Sequence, residues 1–340
     1  MSTDIQRDGA PRADAKILDG AFVVQMLPTN TSHTFQEYCN TIFLPYILGQ
    51  LRWTVQRLSV VWDVYLSDSL KAGTRQQRGQ GQRRKVLPKV PLPSNWKSFL
   101  RNDENKSDLS AFLSKEIATT QVPGKMIVTT CNDNVVSSSA DADISRLQGC
   151  SQEEADTRIF LHAADCVNQG HSNIIIRAAD SNIIVLAVSL VNVIGAETLW
   201  IAFGTGKNFR YIASHAIATC LGPEKSKALA IFHAFTGCDT VSFFAGKGKL
   251  KAWNTWSTFS AVTSAFSQLA TDKAEFSYEV FDFIQRFVVL MYEKNSTLAK
   301  VNAARQKLFS HGCRTPENIP PTEDALRQHT LRAVYQGGLV

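Results

Sequence analysis

No stretch of this sequence stays apolar for the roughly 18 residues that a membrane-spanning helix requires. Its opening, MSTDIQRDGAPRADAK, has no apolar core of the secretory kind, and residues 1–15 read as a disordered leader. Cysteine is scattered: Cys39, Cys131, Cys150, Cys166, Cys220, Cys238 and Cys313 include no C-x-x-C pair. Neither a disulfide framework nor a zinc module is expected from such a set, whereas reduced, intracellular thiols are. The histidines His162, His171, His215, His233, His311 and His329 likewise lack metal-ligand spacing. Internal repeats and long low-complexity tracts are missing. Acid is absent from one long stretch: between Asp68 and Asp103 stand Lys71, Arg75, Arg78, Arg83, Arg84, Lys85, Lys89, Lys97 and Arg101, with no carboxylate among them. A local positive field of that kind attracts phosphate or another anionic partner, although a solvated basic loop has the same composition.

What is present suits an ordinary globular chain. With 340 residues, 44% hydrophobic and 19% charged, there is length for one large domain or two modest ones. Short apolar, β-branched runs recur at AKILDG, RLSVVWDVYL (57–66), KMIVTT (125–130), NIIIRAAD (173–180) and TLWIAFG (198–204), each reading as a strand. Helical spacing fills the intervals: Phe35, Cys39, Ile42 and Phe43 in one, Trp96, Phe99, Leu100 and Phe112 in another, Ala155, Ile159, Ala163 and Cys166 in a third. Pro45 is expected to kink or break the first of these. Strands alternating with helices predict a three-layer α/β/α domain with a central, mostly parallel five-stranded sheet. From 276 to 335, YEVFDFIQRFVVLMY, NAARQKLF and ENIPPTEDALRQHT, a loop followed by a helix start, predict a C-terminal helical extension that packs through its apolar stripes.

Three of the strand candidates deliver an acid at or near their carboxyl ends: Asp19, Asp63 and Asp180. In parallel sheets that edge is where ligands bind. Glu154 and Asp156 add two carboxylates at a helix start, and Asp239, after a Gly-Cys turn in TGCDTVS, is expected to open another helix. Each acid also has a plainer reading. Asp19 before Gly20 suits a turn, Glu154 can pair with Arg158, Asp156 suits a helix dipole, and Asp239 suits an N-cap. Acids converging on one edge repel one another and need a counter-charge. Magnesium or manganese supplies it through oxygen ligands, and two such ions roughly 4 Å apart serve phosphodiester hydrolysis.

The ordered series LDG, VVWDVYLSDSLKAGTRQQRGQGQRR, EEADTR, AADSN and TGCD resembles the flap endonucleases and their structure-specific nuclease relatives, over about 19–255. The resemblance implies a PIN-like nuclease domain over 16–265, with Asp19, Asp63, Glu154, Asp156, Asp180, Asn182 and Asp239 around two Mg2+ or Mn2+ ions. It implies that Lys71 and Arg78 contact the scissile phosphate from a basic arch at 71–120. Arg75, Arg83, Arg84 and Lys85 become further nucleic-acid contacts. VSFFAGKGKLKAW resembles that family's helix–turn–helix clamp, placed at 239–256, with Gly246, Lys247, Gly248 and Lys249 facing a duplex phosphate. The implied activity is hydrolysis of branched or single-stranded DNA, with RNA as the lesser expectation. The phrases LWIAFGTGK and FHAFTGCDTVSFFAGKGK also resemble a group of animal proteins, many linked to mobile elements, a likeness that brings no activity with it.

The series departs from the nuclease pattern at one place. The D-x-D motif reads Asp180-Ser181-Asn182, so a neutral amide stands where a carboxylate is expected and one negative charge is lost. Two outcomes stay open: an active nuclease, or a nucleic-acid-binding pseudonuclease that keeps the fold. RRKVLPK, together with the implied substrate, suggests a nuclear location.

Overall fold

The computed structural model describes residues 5–7, 9–29, 31–51, 54–65, 81–149, 154–238, 241–271, 276–310 and 315–337. Its strands are β1 (Gln6–Arg7), β2 (Ala15–Asp19), β3 (Arg57–Val61), β4 (Met126–Cys131), β5 (Asn134–Ser137), β6 (Asn173–Ala178), β7 (Thr198–Phe203) and β8 (Arg210–Ala213). In the first part of the chain the helices are α1 (Gly20–Met26), α2 (Phe35–Tyr38), α3 (Leu44–Gln50), α4 (Trp96–Phe99), α5 (Asp103–Thr119), α6 (Ala155–Asn168), α7 (Ser181–Ile194) and α8 (Ser214–Leu221). By internal contacts the chain divides into two units, 1–217 and 218–340.

The first unit is an α/β fold around a mixed, mostly parallel sheet of seven strands, with the two residues of β1 added at one edge. The order is β1-β8-β7-β6-β2-β3-β4-β5. The five apolar runs of the sequence are the five central strands, β4-β3-β2-β6-β7, all mutually parallel. They read as near-continuous hydrophobic runs because both faces are covered. Leu18, Leu58, Val60, Ile127 and Ile175 join Phe35, Phe43, Leu113 and Ile117 from the helices on one face. On the other face α6 packs on β2 and β3, and α7 on β7, over Ala15, Ile17, Val61, Ile174 and Ile176, all of them buried. The chain therefore winds outward from β2 through β3 to β4 on one side, then returns to β6 on the other. That places the switch point of the topology between β2 and β6.

Three features lay beyond the sequence reading. β5, β8 and β1 pair antiparallel at the two edges. β5 folds back on β4 across Asn132, whose φ of 55° is the left-handed conformation that Asn tolerates in tight turns. Pro45 does not end its helical run. The segment Cys39–Phe43 is π-helical and runs straight into α3, so the wider i→i+5 spacing absorbs the missing N–H just before the ring. Finally, a buried ion pair clamps α6 to the sheet: Arg57 Nη2 donates to Asp165 Oδ2 at 2.6 Å and Nη1 to Gln169 Oε1 at 2.8 Å.

The second unit is helical: α9 (Pro223–Phe235), α10 (Lys249–Thr258), α11 (Val262–Thr271), α12 (Tyr278–Tyr292), α13 (Val301–Ser310) and α14 (Glu323–Gly337). Its core is aromatic, with Phe232, Phe235, Trp256, Phe266 and Phe287 buried together and the Phe232 and Trp256 rings 4.6 Å apart. Residues 218–265, expected inside the nuclease-like core, thus pack with the C-terminal helices. Among the described residues no helix is long and apolar enough to cross a membrane.

A candidate acidic centre at the carboxyl edge of the sheet

β3, β2 and β6 are adjacent and parallel, with Asp19 opposite Val61 and Leu18 opposite Arg177. Asp19 therefore ends the central strand, while Asp63 and Asp180 follow the ends of its two neighbours. One edge receives all three. Asp63 reaches further: its Oδ1 accepts from the Ala155 N–H at 2.8 Å, capping α6 from another strand, and this draws Glu154 and Asp156 to the same place. Glu154 is the backbone N-cap of α6 and makes no side-chain cap of its own. Nor does it hold Arg158, which instead donates from Nη1 to the Asn132 carbonyl at 3.2 Å.

The electrostatics report the convergence. Asp19 is pushed up to about 7, first by burial, then by Asp63 and more weakly by Asp180. Asp156 is pushed up to about 8, again first by burial, then by Asp180, Asp19, Asp63 and Glu154. Among the described residues, no Lys or Arg pairs with Asp19, Asp63, Asp156 or Asp180. Tyr65 borders the group: its hydroxyl donates to Asp63 Oδ2 at 3.1 Å, and its ring carries the Lys106 ammonium at 3.9 Å.

The donor set fits a hard divalent cation, being carboxylate oxygens that destabilise one another with no base among the described residues to balance the aspartates. The oxygens are nonetheless occupied as helix caps. Asp19 Oδ1 accepts from Phe22 N at 3.0 Å, and Asp180 Oδ1 accepts from Asn182 N at 2.8 Å. Among the described residues no three His, Cys, Asp or Glu side chains stand ready to hold a metal ion. The turn and cap readings of Asp19 and Asp180 thus hold alongside the clustering. Asn182 sits in the first turn of α7 with its amide Nδ2 3.5 Å from Asp180 Oδ2.

The rest of the expected site divides. Asp239, Lys71, Arg75 and Arg78 lie outside the described residues. Arg83 is taken up by α5, donating to Glu104 at 2.6 Å, Asp108 at 2.8 Å and Asn105 at 3.0 Å, so local acids offset much of its charge. Arg84 and Lys85 have no ion pair among the described residues. In the second unit, residues 241–248 are not helical, and the helix expected to open at Asp239 begins at Lys249. Of the 239–256 segment, the described part is a non-helical stretch over 241–248 followed by α10. Gly246 takes a φ of 65° in the turn, and Gly248 is the N-cap of α10. Lys249, expected at a phosphate, caps the end of α9 instead: its ammonium donates to the carbonyls of His233 at 2.9 Å and Gly237 at 2.6 Å and to Thr236 Oγ1 at 3.1 Å. Lys247 lies 4.7 Å from the Tyr292 ring centre.

Two residues that support the site were not read from the sequence. Trp62 donates from its backbone to Thr130 Oγ1 at 2.8 Å and from Nε1 to Thr129 Oγ1 at 3.2 Å, which fixes the residue before Asp63. A Cβ on Gly20 would meet Trp62 Cδ2 at 2.5 Å, so the glycine after Asp19 makes room for the tryptophan before Asp63. The signal was the G of LDG, where only Asp19 was read as suiting a turn. No family model matches the chain, and neither does any curated protein.

Proposed function

We propose that this chain is a divalent-metal-dependent phosphodiesterase of the PIN-like, flap-endonuclease type, acting on branched or single-stranded DNA and less on RNA. The observation that carries the reading is the mutual repulsion of Asp19, Asp63, Glu154, Asp156 and Asp180 at one sheet edge, where no Lys or Arg among the described residues pairs with the four aspartates. Asp19, Asp63, Asp156 and Asp180 would hold the cation, with Glu154, Asn182 and Asp239 completing the set. When bound, Mg2+ or Mn2+ supplies neutralising charge and Lewis acidity toward a phosphodiester. The residues' own part is to give up helix-cap hydrogen bonds as they turn toward it. Asp63 is also steadied by the Tyr65 hydroxyl, which keeps its second oxygen oriented. Lys71 and Arg78 take the scissile phosphate and its developing charge in this reading, and the turn at Gly246–Gly248 seats a duplex backbone.

The test is cleavage of a labelled 5′-flap DNA by the purified chain in Mg2+ and Mn2+, with Asp156→Ala and Asp239→Ala alongside. Cleavage by the parent and loss in both variants is expected. Absence of product in every metal, with salt-sensitive DNA binding retained, replaces the enzyme by a second reading: a pseudonuclease that binds nucleic acid. Asn182 favours that alternative, since it removes one charge from the set.

A further inference from the structure

β7 runs parallel to β6 with Phe203 opposite Ala178, two residues before Asp180, and β8 returns antiparallel with Arg210 opposite Phe203. The 204–209 connection therefore lies on the same sheet edge as the acids. Its sequence, FGTGKNFRY, interleaves aromatic and basic residues. Register puts Phe203 and Arg210 on the face of the sheet that Asp19 shares, two and three strand spacings from it, about 10 and about 14 Å.

Arg210 Nη1 donates to the Asn208 carbonyl at 3.4 Å, a neutral partner within the same turn. Lys207 is exposed, and neither it nor Arg210 has an acidic partner among the described residues. Arg210 lies over the Phe203 ring at 5.4 Å, and its Nε is buried without a hydrogen-bond partner. Phe209 is half-buried and meets Tyr211 edge-on at 5.1 Å. Behind it Arg177 is wedged between the rings of Phe209, at 5.0 Å, and Phe22, at 4.6 Å, and its Nη1 donates to the Ala202 carbonyl at 2.7 Å. Phe22 is the residue whose N–H caps onto Asp19. Arg177, Phe209 and Tyr211 thus lie on one face of this end of the sheet and Phe203 and Arg210 on the other, with Lys207 in the turn that joins them. Fixed rings beside cations that no acid neutralises are what a single strand needs, because stacking tolerates any base and the cations follow the backbone.

We propose that the Phe203–Tyr211 edge is a single-strand platform, on which an unpaired base stacks at Phe209 while Lys207 and Arg210 take the neighbouring phosphates. The proposal names the substrate-binding part of the phosphodiesterase reading and rests on it for direction, but its test needs no turnover. Fluorescence anisotropy of labelled oligothymidylate, oligouridylate and a blunt duplex is measured with the full chain in EDTA across a salt series. Phe209→Leu, which keeps an apolar side chain, is expected to weaken both single strands about tenfold, and Phe209→Trp is expected to restore them. Lys207→Gln with Arg210→Gln is expected to flatten the single-strand salt slope by about 1.4. Duplex affinity stays unchanged in all three. Single-strand binding that is absent in the parent, unchanged in the variants, or lost in parallel with duplex binding would overturn the platform. Loss confined to single strands in a chain that cleaves nothing upholds the platform and removes the enzyme, whereas metal-dependent cleavage with unaltered variant binding does the reverse.

Discussion

Asp19 and Asp156 are the residues at which the fold carries an unrelieved cost. Both are raised far above an ordinary carboxylate, by burial first and by neighbouring acids second. Removing one charge should relax the others, so Asp156→Asn is expected to raise the thermal stability of the metal-free chain at pH 8 and to abolish stabilisation by Mg2+, both read by differential scanning fluorimetry. An unchanged Mg2+ response in that variant would show that the acid is a plain helix-dipole residue. Asn182 makes the complementary case. Its side chain lies in the first turn of α7 beside Asp180, where a carboxylate would add an oxygen ligand of full charge. Asn182→Asp is expected to strengthen Mg2+ binding about tenfold or more by calorimetric titration, given that ligand charge sets affinity at hard-cation sites. Coincident titration curves for the two forms would count against a role for this position.

Elements bring those residues together, and the junction of β2 with α1 is the tightest. Gly20 follows Asp19 directly and lies against the Trp62 indole, which in turn is held by Thr129 and Thr130 of β4. Gly20→Ala must push Trp62 aside, since no helical Cβ fits at 2.5 Å. A destabilisation of about 1–3 kcal/mol is expected from such overpacking, measured by urea denaturation, together with a loss of Mg2+ affinity because Asp63 moves with Trp62. Normal stability would mean that the indole has room to turn. The sequence made the strand ends legible because a parallel sheet buried on both faces needs unbroken apolar runs, and the first polar residue after such a run marks its exit. Asp19, Asp63 and Asp180 were found that way. Edge strands carry no such signal: β5 and β8 are four residues each and half-exposed. The part played by Lys249 was hidden for another reason. A lysine after GKG reads as surface charge, and only the fold shows the carbonyls at the end of α9 that it satisfies. Pro45 misled because proline rules assume α-helical spacing, which the π-helical turn before it relaxes.

On the scale of the whole molecule, stability against pH separates the acid centre from everything else. His162 is buried, its Nδ1 has no hydrogen-bond partner, and burial with help from Arg57 and Arg158 brings it down to about 3. Its unfolded counterpart takes a proton near pH 6.5, so the stability it contributes is present above that value and is lost as pH falls toward 3. His171 and His329 are lowered in the same sense. Asp19 and Asp156 act in the opposite direction. The folded chain holds protons up to about pH 7 and 8 that the unfolded chain has released near pH 4, so stability falls as pH rises through that window. Below pH 6.5 the two effects overlap. Between 6.5 and 8 the histidines are largely neutral in both states, and the acids are left to set the slope. Each proton released across that interval costs at most about 2 kcal/mol. Chemical denaturation in EDTA is therefore expected to give a less stable chain at pH 8.0 than at 6.5. The difference should shrink in Asp156→Asn to the share that Asp19 contributes, and be reversed in the parent by Mg2+, which binds the ionised form. A flat profile in EDTA would mean that the carboxylates ionise independently, and the case for a cation at this edge would go with it.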